Sequence, residues 1–506
     1  MNEIYFLAVD IGTSYIKAAV YDLKGNQKAN MQVSVQSDTS QAGIFLQSGE
    51  DIYNSVLSAL RGLSRQIGEE RNRIAAICFT GQMAGFMGAG PHWEDVTTWS
   101  CSLDIRYAPY VKKQIDAFGD DFLEISGTNG PVMAPKIAWL MNEFPEQAKK
   151  TAKYMLISSY VAGRLGESDI EEAAVGSSYI TWTGLADIRK RTWSRELCEN
   201  LGIPMEKLPR IVNYHEIVGK LSGTAAKAVS LPSGIPLVAG AGDKIAGCVG
   251  AGILTPGDTT FEASSYAAVS VLTNSYHPNP DRKDYDAIPA LEDGLFYLHR
   301  YFPGSGITLQ WFIDTFCGKE SSAIQTFKDI EALTENVPAG SEDLMAVGML
   351  GGSAMPFDGT LRGCWAGHTW SHRKEHFYRA LLEGFAYELA LTLDSIKTMY
   401  PSWERRTDIV LTGGGSGSVL WAQILADVTG CTVIKTEGHD TALWGSALLA
   451  GKAVGAVSDI RAAVQGAGIK AERVPANDRN TAVYQKYIDR YQKLLEKIRS
   501  FCAESF

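Results

Sequence analysis

The sequence has few of the features that mark metal-stabilised, disulfide-bonded or membrane proteins. Its eight cysteines are scattered singly, with no CxxC pair and no histidines at zinc-binding spacing, so we expect reduced, mostly buried thiols rather than structural zinc. No apolar run approaches the roughly 20 residues that span a bilayer. The N-terminus lacks a basic segment followed by a cleavable apolar run. We therefore predict a cytoplasmic protein that does not insert into membranes.

Positive charge is scarce as well. Lysine and arginine total 47 against 57 aspartates and glutamates, and the net charge of −10 argues against a general nucleic-acid surface while allowing a local basic pocket for an anion. The content of 45% hydrophobic and 21% charged residues is that of an ordinary globular protein. Because 506 residues exceed what one compact core holds, we expect two large domains.

The first informative stretch is an apolar strand and a tight turn near the N-terminus. The strand 6–9 leads to Asp10, and the turn Gly12-Thr13-Ser14 connects it to an alternating strand that carries Lys17. Glycine admits close approach of the backbone, and the hydroxyls, N–H groups and lysine suit phosphate, while Asp10 at the strand end suits Mg²⁺. An ordinary hairpin with a solvated aspartate is the alternative.

A helix pattern at 50–67 followed by an apolar strand at 74–79 is typical of an α/β domain. The strand ends in the glycine-bracketed turn Thr80–Gly85, which contains Gln82 and Met83. Such a turn is a candidate small-ligand site, with a plain loop as the alternative. Farther along, we predict a helix at 154–165 and an amphipathic structural segment at 182–201.

Trp99, Asp104 and Arg106 form a second candidate ligand site. An aromatic ring beside a carboxylate and a guanidinium suits a polyhydroxylated molecule, because the ring covers C–H faces while the charged groups bind hydroxyls. The alternative is a core tryptophan beside a surface Asp–Arg pair.

Near the midpoint, an apolar strand ends in Gly240-Ala241-Gly242 and Asp243, and a helix of small residues follows. An aspartate at a strand-to-helix junction, flanked by glycines that admit substrate, is a candidate general base. It also suits the role of a helix N-cap, and the two roles are compatible.

The segment 258–271 repeats the opening pattern. Ala263-Ser264-Ser265-Tyr266 corresponds to Gly12-Thr13-Ser14-Tyr15, and each lies within an apolar hairpin near the start of one half of the chain. The repetition predicts duplicated domains, 1–252 and 253–506, which face each other across a cleft.

The second half contains a candidate nucleotide site. The strand 409–411 enters the turn 413–418, GGGSGS, and a helix follows to 429. Exposed N–H groups at a glycine turn and helix N-terminus admit a nucleotide, although the turn is neither GxGxxG nor a Walker motif. Gly306 directly precedes another predicted helix, 307–312, which contains Gln310, and His439 is interpreted as a solvated loop residue.

These motifs, in this order, resemble those of the FGGY carbohydrate kinases of the actin-like ATPase superfamily along nearly the whole chain. The resemblance is greatest to the xylulokinase-like pentulose kinases, with some similarity to autoinducer-2 kinase. It implies an α/β fold of two duplicated actin-like (ribonuclease H-like) domains with a ligand cleft between them. The motifs that carry it are DIGTS at 10–14, TGQM at 80–83, Trp99 with Asp104 and Arg106, Pro135-Lys136, Gly242-Asp243, and GGGS at 413–416 followed by WAQILAD at 421–427.

The resemblance implies an ATP-dependent kinase that phosphorylates a hydroxyl of a ketose, such as the pentulose xylulose, or of a related polyol or sugar derivative. Asp243 is implied as the base and Asp10 as the residue near Mg²⁺. The expected partner is a small-molecule substrate, and a homodimer is the family's common habit. The implied nucleotide and phosphate residues are Gly12, Thr13, Ser14, Lys17, Ser264, Gly306, Gln310, Gly414, Gly415 and Ser418, and the implied substrate residues are Gln82, Met83, Trp99, Asp104, Arg106, Asp243 and Lys244.

The chain departs from the xylulokinase pattern at several positions, so a sugar acid, ribulose, an erythritol-type polyol and autoinducer-2 stay open as alternatives to xylulose. Ala84 and Lys244 replace the usual His and Asn, Ala263-Ser264 replaces Gly-Thr, the spacing from Trp99 to Asp104 is longer, and the usual SGERTP segment is missing around 351–357. Lys244 favours a substrate with a carboxylate if it points into the cleft, but not if it turns to solvent. A sugar- or nucleotide-binding regulator without catalysis is the second hypothesis.

Overall fold

A computed structural model of the chain describes residues 3–41, 43–318, 323–401, 408–436, 440–468 and 470–505, and His439 lies outside these ranges. The elements of the first half are β1 Tyr5–Ile11, β2 Tyr15–Asp22, β3 Gln27–Ser34, β4 Leu46–Gln47, α1 Gly49–Ile67, β5 Ile74–Gly81, β6 Gly85–Ala89, β7 Trp99–Cys101, α2 Ala108–Asp121, α3 Met133–Glu143, α4 Pro145–Lys150, β8 Lys153–Met155, α5 Ile157–Gly166, β9 Ala174–Gly176, β10 Ala186–Asp187, β11 Thr192–Trp193, α6 Arg195–Leu201, β12 Arg210–Val212, β13 Ile217–Lys220, α7 Gly223–Val229, β14 Pro236–Val238 and α8 Asp243–Gly250.

The elements of the second half are β15 Thr259–Glu262, β16 Ala267–Thr273, β17 Asp286–Pro289, β18 Phe296–Phe302, α9 Ser305–Phe316, α10 Ala323–Thr334, β19 Met345–Val347, β20 Ser353–Ala354, β21 Phe357–Asp358, β22 Cys364–Ala366, α11 Lys374–Met399, β23 Asp408–Thr412, α12 Val419–Thr429, β24 Thr432–Thr436, α13 Thr441–Ala453, α14 Ile460–Gly466, β25 Ala471–Val474 and α15 Asp478–Ser505.

Each half is built around a large mixed sheet, and the two sheets repeat the same strand pairing. Their strand orders are β13-β14-β5-β1-β2-β3 and β17-β18-β16-β15-β23-β24-β25. β1 pairs antiparallel with β2 and parallel with β5, as β15 pairs antiparallel with β16 and parallel with β23. Next in the first sheet, β14 pairs parallel with β5 and antiparallel with β13. Correspondingly, β24 pairs parallel with β23 and antiparallel with β25 in the second sheet. The predicted duplication of an α/β domain is therefore confirmed.

The central strands explain why the opening stretch of the sequence is so apolar. β1 and β5 lie next to each other inside the first sheet, and their side chains are almost all buried, as expected for inner parallel strands covered on both faces. Helix α1 buries the apolar stripe Ile52, Val56, Leu60 and Leu63 against this sheet, so the predicted helix is confirmed. Asp10 breaks the apolar run only where β1 approaches its end.

Helix α13 comes from the second half of the chain but packs on the first sheet. It contacts β1, β5 and α8. At its crossing with α8 the backbones touch, because a Cβ on Gly445 would lie 1.9 Å from the Ala246 carbonyl oxygen, and one on Gly250 would lie 2.0 Å from that of Thr441. We propose 1–252 and 253–506 as the two domains, since each large sheet uses strands from one side of this boundary, with α13 reaching across it.

One expectation of local structure is wrong. Residues 154–165 are not one helix, because β8 ends at Met155 and α5 begins at Ile157. The segment 182–201 contains the hairpin of β10 and β11 before α6 begins at Arg195. Trp182 itself donates from Nε1 to Asp286 Oδ2 of the second half at 2.7 Å. Such tertiary contacts override a helical periodicity in short segments.

The eight cysteines are all free, six of them buried and two half-buried, which confirms the expectation of unpaired, mostly buried thiols. Across the described ranges, the helices are too short or too polar to cross a membrane.

Replacing Gly445 with alanine tests the helix crossing. The new methyl group would meet the backbone of α8, which cannot move aside as a flexible side chain can, so we expect a lower thermal unfolding midpoint and a cost of about 1–3 kcal/mol. Gly247→Ala is the matched control, because its Cβ would lie 3.6 Å from Thr441 Oγ1, an ordinary contact, and alanine favours a helix over glycine. Equal midpoints for the two variants in scanning calorimetry would contradict the close crossing.

Candidate active site

Carboxylates from four separate parts of the chain converge between the two halves. Asp10 lies near the end of β1, Asp243 begins α8, Glu262 ends β15, and Asp440 precedes α13. Burial raises the pKa of Asp10 to about 8, and the negative charges of Asp243 and Asp440 contribute to the rise. Burial also raises the pKa of Asp243, where Glu262 and Asp440 act in the same direction and Lys244 opposes them. These mutual effects place the four carboxylates in one site.

Asp10 is held opposite a lysine at the first hairpin. Its Oδ1 atom is buried and has no hydrogen-bond partner among the residues that the structure describes. Lys17 pairs with it in the register of β1 and β2, and Lys17 Nζ lies 3.3 Å from Asp440 Oδ2. Burial alone would lower the pKa of Lys17, but Asp440 and Asp10 outweigh it and raise that pKa. The lysine thus stays charged between two carboxylates.

Asp243 is the first residue of its helix rather than the cap. The cap is Gly242, whose N–H donates to Ser178 Oγ at 3.0 Å, and a Cβ on this glycine would lie 2.1 Å from Met83 Cγ. Asp243 Oδ1 accepts the backbone N–H of Lys244 at 2.8 Å. The carboxylate therefore lies at a helix N-terminus, where the dipole favours negative charge, and the glycine leaves room for Met83 beside it.

Lys244 points into the site and is already paired. Its Nζ lies 2.5 Å from Glu262 Oε1 and 3.5 Å from Ser264 Oγ, and its side chain is 14% exposed. Of the two orientations considered for this lysine, the one turned to solvent is therefore wrong. The amine faces the second hairpin, on the side where the phosphate residues are predicted, and one carboxylate neutralises its charge.

Gln82 connects the predicted sugar side to the first hairpin. Trp99 Nε1 donates to Gln82 Oε1 at 3.1 Å, while Gln82 Nε2 donates to Gln47 Oε1 at 3.3 Å and contacts the Gly12 carbonyl oxygen at 3.4 Å. Gln47 Nε2 in turn donates to the Thr13 carbonyl oxygen at 2.8 Å. The sequence gives no signal for Gln47, a polar residue on a two-residue strand.

The side chains of Trp99 and Asp104 are both buried, and their contact with a sugar stays a prediction. The ring of Trp99 fills the space over Gly85, where a Cβ would lie 2.3 Å from it. Arg106 donates to both oxygens of Asp104 at 2.8 and 2.9 Å, and Ser100 Oγ donates to one at 2.6 Å. Burial alone would raise the pKa of Asp104, but these donors hold it below its ordinary value. Arg106, 30% exposed, still faces outward.

The glycine turn of the second half and the start of α9 both contact the second hairpin. Gly415 N–H donates to the Ala263 carbonyl oxygen at 2.8 Å, and Gly306 N–H donates to that of Ser264 at 3.0 Å. The described part of the chain places no atom within 4 Å of a Cβ built on Gly414, so its outer side is open to a ligand. The structure thus brings together predicted nucleotide residues that are far apart in sequence.

Two predicted nucleotide residues have local partners. Ser418 Oγ accepts from Trp421 N–H at 3.0 Å and caps α12, and Gln310 Nε2 donates to Asp314 Oδ1 one turn along α9 at 2.9 Å. Their contact with nucleotide stays a prediction, as does that of the turn 12–14, whose Thr13 and Ser14 are accessible.

Glu262 and Asp440 were missed by the sequence interpretation. Asp440 directly precedes α13 and accepts the Leu443 N–H at 3.1 Å, so an aspartate before an apolar helical segment was a usable signal. Glu262 lies just before Ala263-Ser264, at the strand end that leads into the second hairpin, but nothing in its local sequence shows that Lys244 reaches it.

Comparison with known protein families assigns the chain to one of them. Residues 5–250 match the N-terminal domain, and residues 262–454 the C-terminal domain, of the FGGY family of carbohydrate kinases. The chain belongs to the FGGY family of carbohydrate kinases. FGGY kinases are ATP-dependent phosphotransferases that use an alcohol group as the acceptor, which confirms the predicted enzyme class.

Individual relatives agree with this FGGY assignment along the whole chain. The chain is 27% identical over 456 residues to the xylulose kinase of Bacillus subtilis, covering 88% of this chain and 87% of the relative. It is 26% identical over 527 residues to an autoinducer-2 kinase of Salmonella paratyphi B, covering 98% and 95%. The crystal structure of gluconate kinase from Lactobacillus acidophilus superposes with a TM-score of 0.90 at 22% identity, covering 99% and 100%. The predicted two-domain kinase fold is confirmed.

Replacing Asp10 with asparagine tests the electrostatic cost of the site. Because the pKa of Asp10 is raised to about 8, the folded protein keeps the proton of this carboxyl group up to that pH, while the unfolded chain loses it near pH 4. The free energy of unfolding therefore falls as the pH rises between those two values. Without ATP or Mg²⁺, we expect Asp10→Asn to raise the thermal unfolding midpoint by a few degrees at pH 8, with the difference shrinking toward pH 4.

Asp22→Asn is the control for this measurement. Burial alone would raise the pKa of Asp22, but hydrogen bonds from Asn26 and Lys28 hold it below its ordinary value, so the same change should lower the midpoint at pH 8. A lower midpoint for Asp10→Asn as well would show that the Asp10 carboxyl stabilises the fold.

Proposed function

We propose that this FGGY kinase transfers the γ-phosphate of ATP to a hydroxyl of a ketose, such as the pentulose xylulose, or of a related polyol, with Asp243 as the general base. The observation that supports this most is that Asp10 and Asp243, far apart in sequence, share one site beside both hairpins. A carboxylate at a helix N-terminus next to a glycine is accessible to a substrate hydroxyl. Its raised pKa makes it a stronger base once ionised.

The arrangement supports catalysis by positioning and charge neutralisation, which dominate phosphoryl transfer. ATP would lie with its phosphates between the turn 12–14 and the turn 263–265, and with its adenosine toward Gly414 and Gly306. Lys17 and Lys244 would face these phosphates from the two sides. Closure of the domains over both substrates would exclude water and so limit wasteful hydrolysis of ATP.

The same residues suit Mg²⁺. Asp10 offers a buried, unpartnered carboxylate oxygen, and Mg²⁺ prefers oxygen ligands from one or two carboxylates, waters and phosphates. In the described ranges, no group of three or more histidine, cysteine, aspartate or glutamate side chains forms a metal site by itself, which is compatible with a cation held partly by the nucleotide. When bound, the cation would neutralise phosphate charge, and Asp10 would hold it near the first hairpin.

The charges of the site favour a neutral acceptor over a sugar acid. The cations predicted for the site are each paired: Lys244 with Glu262, Lys17 with Asp440, and Arg106 with Asp104. An acceptor carboxylate near Asp243 would therefore meet like charges, whereas each of these three cations already has a carboxylate partner. This is why we favour ketoses and polyols among the open alternatives.

Asp243→Asn tests the assigned base. The amide preserves the shape of the side chain but cannot accept the proton, so we expect turnover to fall by about 10²–10⁴-fold while ATP binding, followed by calorimetry, changes little. Asp459→Asn, at an exposed helix cap, is the matched control and should keep wild-type turnover. Turnover near the wild-type level in Asp243→Asn would refute the assignment.

Acceptor preference tests the charge argument. In an ADP-release assay with MgATP, we expect kcat/KM for D-xylulose, ribulose, erythritol or autoinducer-2 to exceed that for gluconate by at least about tenfold, the effect of one unfavourable charge contact. A preference for gluconate would contradict it. If no acceptor causes ADP release but calorimetry still detects sugar binding, the regulator hypothesis would be favoured.

A further inference from the structure

The face of the second sheet that meets α8 carries a tyrosine. Glu262 pairs with Ala268 on β16, and Ala268 pairs with Tyr301 on β18. Directly paired residues of antiparallel strands project from the same face, so these three side chains lie in one row. The ion pair between Glu262 and Lys244 shows that this face looks toward the start of α8, where Asp243 lies. With only the methyl group of Ala268 between them, Tyr301 and Glu262 border the same space.

The ring of Tyr301 is held in place while its hydroxyl is left uncommitted. The ring centroid lies 4.5 Å from that of His299 and 5.6 Å from that of Trp182. The side chain is half-buried, and its hydroxyl has no hydrogen-bond partner in the described part of the chain. On the same strand, by contrast, the Tyr297 hydroxyl donates to the Ile253 carbonyl oxygen at 2.8 Å. Because the Tyr301 hydroxyl is not among the buried unpartnered atoms of the described residues, its oxygen is accessible from the site and can donate to a ligand.

The electrostatic surroundings keep this phenol protonated. Burial raises the pKa of Tyr301 well above its ordinary value, and the charges of Asp243, Glu262 and Asp286 raise it further. The hydroxyl is therefore a hydrogen-bond donor throughout the pH range in which the carboxylates are ionised. The influence of the Asp243 charge on this group agrees with the strand register in placing the phenol near the base.

We propose that Tyr301 is an acceptor-binding residue, whose hydroxyl donates a hydrogen bond to an oxygen of the polyhydroxylated substrate beside the hydroxyl that Asp243 deprotonates. The proposal rests on the function proposed above and extends it, because it gives the acceptor a partner in the second domain. Asp243, Gln82 and Met83 all belong to the first domain. An acceptor held from both sides would stabilise the closed arrangement of the domains, since it binds the closed state better than the open one.

Tyr301→Phe tests this assignment, because it removes the hydroxyl and keeps the ring against His299 and Trp182. The acceptor is the panel compound with the highest wild-type kcat/KM in the ADP-release assay. For it we expect KM to rise about three- to tenfold, the loss of one neutral hydrogen bond, with the KM for ATP unchanged and kcat at saturation within about twofold. Tyr297→Phe is the matched control and should leave both KM values unchanged.

Deoxy analogues of that acceptor identify the contact itself. With the wild-type enzyme, one analogue should have a kcat/KM about three- to tenfold below that of the acceptor. With Tyr301→Phe, the same analogue and the acceptor should have equal kcat/KM values, since the two changes remove the same hydrogen bond. An unchanged acceptor KM in Tyr301→Phe, or additive losses for every analogue, would overturn the proposal. If Asp243→Asn is inactive in the same assay, such a result refutes the role of Tyr301 alone. A fully active Asp243→Asn, or a wild type silent with the whole panel, refutes the proposed function and this inference with it.

Discussion

The proximity of four carboxylates to two lysines at the joint between the halves is the constraint on which the rest of the structure depends. Burial raises the pKa of both Asp10 and Asp243. The charges of Asp243 and Asp440 add to the rise at Asp10, and those of Glu262 and Asp440 add to the rise at Asp243. A fold tolerates such a cluster only if other parts hold it together. A phosphate-bound cation would relieve the unfavourable negative charge of this cluster.

The crossing of α8 and α13 supplies that support. Each helix begins at one of the carboxylates, and the two backbones touch where Gly250 and Gly445 meet. A larger side chain at either glycine would push the two helices apart. Asp243 and Asp440 would then also move apart. The ion pairs of Lys17 and Lys244, which connect the first half to the second, act at the same joint. Stability and site geometry are therefore determined by the same few contacts.

Domain duplication explains why the site has two similar sides with different chemistry. The repeated strand pairing puts a hairpin turn at corresponding places in both halves, one ending β1 and the other ending β15. In the first half, Gln82 and Gln47 connect the hairpin turn 12–14 to Trp99. In the second half, the glycine turn 413–418 and α9 contact the hairpin turn 263–265. In the function proposed above, the first side would hold the acceptor and the second side would hold the nucleotide.

The sequence by itself determined the α/β class, the repeated hairpins, the glycine turn and the kinase family, because strand periodicity, turn residues and short motifs are local. It also identified Asp10 and Asp243 as candidates. It did not show that Trp99 and Asp104 are buried, or that 182–201 contains a hairpin, because these depend on partners such as Gly85 and Asp286, which other segments bring into contact. Only the tertiary structure decided that Lys244 pairs with Glu262, that Asp440 joins the site and that Tyr301 borders it. Those relations are between residues distant in sequence, and the packing of the two halves alone makes them neighbours.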